Sequence, residues 1–216
     1  MSTISTSFSN FFAEAELLIT NALEHPEIAA ALDALGYDVA AIQEGQALFD
    51  VARALYDAQI REYGEQHAAT QAFLAASQQA DKAYAAHRRL AKVAFKSDPQ
   101  RQTDLHLNDR KPQAFNPWYE QARHFYTALV SDTAAQTQLA RFKITLEALS
   151  AAQAQVEQTM SLKTAQKQET GEAQEATQQR DAAIDALDEW LADFKVVACI
   201  ALDDTPQLLE ALNLNV

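Results

Sequence analysis

The stretch Glu62–Gln71, "EYGEQHAATQ", meets a near copy of itself at Glu169–Gln178, "ETGEAQEATQ". Each copy places one glycine inside a long run of helix-forming residues. A glycine there either turns the chain in a left-handed conformation or sits within an unbroken helix at some cost in stability.

Working outward, the copy extends far beyond these ten residues. Residues 8–108 pair with 115–215 at a constant offset of 107, without a gap, and 27 of the 101 pairs are identical. Composition alone gives about a third as many matches. Phe8, Phe11 and Phe12 face Phe115, Trp118 and Tyr119, and Pro99-Gln100 faces Pro206-Gln207. Leu105, Leu107 and Asn108 face Leu212, Leu214 and Asn215. Such a pattern is a tandem repeat of one supersecondary unit, and the two repeats are expected to form one structural unit with pseudo-twofold symmetry.

Caps divide each repeat. A first helix over about 8–24 carries Phe11, Phe12, Ala15, Leu18 and Ala22 at helical spacing. Pro26 suits the first turn of a short second helix that ends at Gly36, a C′ glycine. Asp38, matched by Thr145, is the N-cap candidate for a long run reaching about Lys96. Asp98-Pro99 and Thr205-Pro206 then cap short closing helices.

Within the long run a heptad frame, of the coiled-coil kind, puts Leu149, Val156, Ile184, Leu187, Leu191 and Phe194 on one seam. The same frame in the first repeat holds Ile42, Phe49, Ala52, Tyr56, Tyr63, Phe73, Ala80 and Tyr84. The phase survives Gly64 and Gly171, which favours one helix of roughly 60 residues, about 85 Å long. The rival is an αα-hairpin turning at each glycine, giving two three-helix units. The expected class is therefore all-α: a duplicated helical bundle of long antiparallel helices with short capping helices and essentially no sheet. Gly64, Gly171, Pro99 and Pro206 are its structural positions.

Composition agrees. The chain has 216 residues, 48% of them apolar, with only four glycines, five prolines and one cysteine. The net charge of −13 repels phosphate backbones and anionic lipid, so neither nucleic acid nor a membrane is an expected partner. The longest apolar run, "VVACIAL" at Val196–Leu202, is far too short to span a bilayer. The N-terminal residues lack a basic, apolar leader pattern, and a cytoplasmic protein is expected.

A search for chemistry finds little. Isolated glycines exclude phosphate-cradling loops and G-x-S-x-G elbows. No Glu has a His three residues on, and H-E-x-x-H and C-x-x-C are absent, so no metal, cofactor or catalytic group is expected. Glu120 and His124 read as a solvated pair. Cys199 reads as a buried small hydrophobe, and Trp118 and Trp190 as core. One feature opposes the overall charge: His87, Arg88, Arg89, Lys92 and Lys96, followed by Arg101, Arg110 and Lys111. This is either a site for an anion or an acidic partner, or a solvated cationic face suited to a helix C-terminus. The expected function is a non-enzymatic structural or protein–protein interaction module, with a protein partner or self-association. The alternatives are an enzyme or small-ligand binder with a pocket between helices, and, last, a membrane-active helical component.

Overall fold

Prolines and short polar caps open most of the helices, and left-handed residues close the four short ones. The computed structural model describes residues 2–214, with side chains from residue 7 on; Asn215, the partner of Asn108 in the shifted alignment, lies outside the described residues. Its elements are α1 (Ser2–Glu24), α2 (Pro26–Asp33), α3 (Val39–Ala94), α4 (Pro99–Asp104), α5 (Phe115–Ser131), α6 (Thr133–Ala140), α7 (Leu146–Ala201) and α8 (Pro206–Ala211). The protein is all-α, with no strand among the described residues. No described helix is long and apolar enough to cross a membrane.

The long run is a single helix in each case. α3 and α7 have 56 residues each and pass through Gly64 and Gly171 without a break. A Cβ added at either glycine meets nothing within 4 Å, so neither turns the chain nor permits a close approach. The glycines whose missing Cβ is used are Gly36 and Gly45. Gly36 has φ +87° and closes α2 in a Schellman motif, its N–H bonding Asp33 O and that of Tyr37 bonding Leu32 O, both at 3.0 Å. A Cβ on Gly45 would stand well inside van der Waals distance of the Trp190 ring.

Three further helix ends use the same closure without glycine. His106 (φ 52°), Lys143 (φ 60°) and Asn213 (φ 54°) take the left-handed position after α4, α6 and α8. The backbone bonds Leu107 N–H to Gln102 O (2.9 Å), Ile144 N–H to Leu139 O (3.4 Å) and Leu214 N–H to Leu209 O (2.9 Å) complete them. At Lys143 and His106 this conformation costs about 1–2 kcal/mol that glycine would not incur. At the opposite ends, Asp38 accepts from Ala41 N–H at 2.9 Å, Thr145 from Ala148 N–H at 3.1 Å and Asp98 from Arg101 N–H at 3.0 Å. The cap expected from Thr205 does not form, because its hydroxyl turns back to Leu202 O at 3.3 Å.

The chain divides into two compact units, Met1–Tyr63 with Glu172–Val216, and Gly64–Gly171. The first unit holds α1, α2, the leading half of α3, the trailing half of α7, and α8. The second holds the trailing half of α3, then α4, α5, α6 and the leading half of α7. Each thus contains one full set of element types and its own core. The first core is built around Phe12, Leu18, Ile19, Leu32, Ile42, Leu187, Leu191 and Phe194. The second is built around Tyr84, Phe95, Phe125, Tyr126, Leu129, Leu139, Leu149 and Val156. Full burial of each such side chain contributes about 1.5–3 kcal/mol.

Two side chains depart from the sequence reading. Cys199 is exposed rather than buried. The core face of that turn is set by Phe194, Ala198 and Leu202, four residues apart, which leaves Val196, Cys199 and Ile200 on the solvent side. Tyr63, placed on the seam with Tyr56 and Phe73, is half exposed.

Candidate functional site

The cationic run near the end of α3 lies in the second unit, and folding sorts its members into different roles. His87 points inward: its Nδ1 lies 3.1 Å from the Tyr126 hydroxyl, and burial holds its pKa below the usual histidine value. Neighbouring Tyr84 is buried beside Phe125 and Tyr126, and burial pushes its hydroxyl up to about 12. Both groups are neutral near pH 7, so His87 adds no charge to the patch.

Arg88 is a structural cation. Its guanidinium donates to His106 O at 2.7 Å and to Asp109 O, gripping the turn that follows α4. Its Nε is buried with no hydrogen-bond partner. Arg89, Lys92 and Lys96 are exposed. Among the described residues none of these three forms an ion pair or a hydrogen bond to a side chain. The cations that follow are divided too. Arg101 bridges Asp98 (3.0 Å) and Asp132 (2.8 Å), whose carboxyl is held below its usual range chiefly by the Ala135 N–H it accepts at the start of α6. Lys111 binds both Asp81 oxygens at 2.7 Å. Arg110 is exposed.

Gripping that turn creates a groove. Ala85, Arg88, Arg89 and Lys92 from α3 face Leu107, Asn108, Asp109 and Lys111 across a cavity of about 370 Å³. Four cations line it against one carboxylate, and that carboxylate, of Asp109, is turned to His106 Nδ1 at 2.7 Å. Lys96 is not part of the lining.

Lys111 also lines a second, largely apolar pocket of about 280 Å³. Phe73, Leu74, Phe115 and Trp118 form its walls, with Ser77, Gln78, Asp81, Pro112 and Gln113. Phe73 and Phe115 meet edge to face at 5.1 Å, and Trp118 donates its indole N–H to Asp81 at 2.8 Å. The Ser77 hydroxyl is buried and has no hydrogen-bond partner. At Asp81 and Lys111, then, an aromatic pocket and a cationic groove join. The ion pair there is 40% and 30% exposed on its two sides, so its energetic contribution is at most about 1 kcal/mol and its role is to hold the seam.

The sequence reading found the groove's cations and missed its apolar neighbour. Phe73 falls on the heptad seam and Trp118 on an apolar helix face, and both are buried. The available signal was Ser77, which stands where the shifted alignment puts Ile184. Glu120 and His124 do not pair with each other: Glu120 holds Arg123 at 2.8 Å, and His124 Nε2 lies 2.8 Å from Asp104 O. Pro99 and Pro206 open α4 and α8 as read.

Comparison with known proteins adds nothing to this geometry: no protein-family model, no curated protein and no solved structure matches the chain.

Proposed function

We propose that this protein is a non-enzymatic, internally duplicated helical module that docks an acidic protein partner through the cationic groove of its second unit. The observation that carries this reading is the groove itself: Arg89 and Lys92, exposed and unneutralised, beside Arg88 and Lys111 in a chain of net charge −13. In a chain so acidic overall, a local cluster of cations steers an anionic partner to one face and repels it elsewhere.

The duplication is supported by the element bounds. α2, α3 and α4 shifted by 107 give the bounds of α6, α7 and α8 at both ends. Buried positions recur at the same shift with exchanged sizes: Ala22 and Ile28 in one unit stand against Leu129 and Ala135 in the other. Ring contacts recur as well, Phe115 against Phe73 in the second unit matching Phe8 under the Arg180 guanidinium at 5.2 Å in the first. Antiparallel packing of α3 and α7 is supported within each unit. In the first, Gly45 meets Trp190 and Gln59 meets Arg180; in the second, Thr70 meets Gln166 and Phe73 meets Lys163, so within each unit rising numbers on α3 meet falling numbers on α7.

The test is binding of a short fluorescein-labelled peptide of alternating Glu and Ser, followed by anisotropy. Binding is expected to weaken as KCl is raised. Replacing Arg89 and Lys92 together by Gln is expected to reduce affinity about tenfold with helicity unchanged. An affinity indifferent to both salt and the double substitution would dismiss the groove as a docking surface.

A further inference from the structure

Folding sorts the chain's charge very unequally between the two units. The first carries 20 Asp and Glu against 4 Lys and Arg, a net −16, and the second 10 against 13, a net +3. Residues 1–108 and 109–216 show no such contrast, with 14 acids against 8 cations and 16 against 9. A strongly acidic surface that could face the groove is thus present on the protein itself. Exposed charges are screened beyond about 8 Å at physiological salt, so between two molecules the facing units set the sign of the interaction.

The outer face of α7 in the first unit offers the matching surface. Asp185, Asp188 and Glu189 are exposed there, and among the described residues none of them forms an ion pair. Two turns further on, Val196 and Ile200 are the most exposed large apolar side chains among the described residues. Asp185, Glu189, Val196 and Ile200 follow at helical spacing and form one stripe. Leu74, in the lining of the aromatic pocket, precedes Arg89 by 15 residues, and Asp185 precedes Ile200 by 15, about 22 Å of helix in each case. An antiparallel approach to α3 therefore sets Asp185 opposite Arg89 and Ile200 opposite Leu74 together. Val196 then falls opposite Gln78, which also lines the pocket. A parallel approach matches the charges alone.

We propose that the groove's partner is a second copy of this chain. The outer face of α7 of one molecule lies antiparallel on the trailing half of α3 of the next. Asp185, Asp188 and Glu189 face Arg89 and Lys92, and Ile200 covers the aromatic pocket. This rests on the docking role of the groove. The contact joins two different surfaces, so a dimer keeps one groove and one α7 face free, and assembly continues head to tail until a ring closes.

Sedimentation velocity of the full chain and two variants decides the matter. At about 100 µM and physiological salt the chain is expected to form oligomers that dissociate in about 1 M KCl. Arg89→Gln with Lys92→Gln, and Asp185→Asn with Asp188→Asn and Glu189→Gln, should each weaken association at least about tenfold with helicity unchanged. Mixed in equal amounts, the two variants should form a 1:1 dimer and nothing larger, since each supplies the surface that the other lacks. Mixed variants that stay monomeric, or oligomers indifferent to either set of substitutions, would overturn the proposal. A monomeric chain whose groove still binds the Glu–Ser peptide with the expected salt dependence would overturn it too, leaving the groove to a different acidic protein. Failure of both association and peptide binding would remove the groove's role as well. Oligomers that only Ile200→Asp dissociates would place the self-contact on the apolar end of α7, against the proposal.

Discussion

Gly45 and Trp190 show how far one residue's meaning depends on a distant neighbour. By sequence Gly45 is an isolated glycine in a helix, a small loss of stability with no stated purpose. In the structure it is buried under the indole of Trp190, which also stacks on Phe194 at 5.1 Å. At the positions shifted by 107 the pair is Ala152 and Ala83, two small residues in place of one absent and one very large side chain. Gly45→Ala is therefore expected to destabilise the protein by about 1–3 kcal/mol, since the methyl and the ring compete for one space. In a Trp190→Ala background the same substitution should become neutral or stabilising by up to about 1 kcal/mol, the ordinary advantage of Ala over Gly in a helix. A urea-unfolding double-mutant cycle should give a coupling of about 1 kcal/mol or more. An equal cost in both backgrounds would show that the ring is not the obstacle.

At the scale of the element, the decisive fact is that α3 and α7 do not turn at their central glycines. Both stretches consist of strong helix formers, with no Pro or Asn beside the glycine, so nothing local opposes continuation. With open space around each Cα, Gly64→Ala and Gly171→Ala should each raise the free energy of unfolding by about 0.5–1 kcal/mol. Urea unfolding measures this directly, and a loss of about 1 kcal/mol or more at either site would place a left-handed turn there instead. The short helices obey a different rule. α6 lacks both the proline that opens α2 and the glycine that closes it, and forms nonetheless with Asp132 as N-cap and Lys143 in the left-handed position. Tertiary burial of Ala135 and Leu139 outweighs a poorer local signal.

Across the whole molecule, each core draws on both halves of the chain. Phe12 and Leu18 share a core with Leu191 and Phe194, while Tyr84 and Phe95 share one with Phe125 and Leu149. The boundaries between the units fall within α3 and α7, and so the units do not coincide with residues 8–108 and 115–215. Separately expressed halves, 1–108 and 109–216, should consequently not fold as monomers, because each carries only half of either core. Mixing them should restore helicity and cooperative unfolding, read by circular dichroism. A monomeric half that unfolds cooperatively would contradict the partition.

Features that depend only on neighbours along the chain are legible before any folding is known. The all-α class follows from composition and from an apolar period that never switches to two. The openings at Pro26, Pro99 and Pro206, the closure at Gly36 and the caps at Asp38, Asp98 and Thr145 are local hydrogen-bond and dihedral matters, and they were legible. The cations of the groove were legible as a cluster, but not their division of labour. Whether Arg88 faces solvent or grips the carbonyls of His106 and Asp109 depends on where a turn 18 to 21 residues away is folded. Folding alone turns His87 inward to half-burial and leaves Cys199 exposed, sets Gly45 under Trp190, and gathers Phe73, Phe115 and Trp118 around one pocket. Each of these is a contact between segments far apart in sequence, where packing rather than propensity sets the outcome.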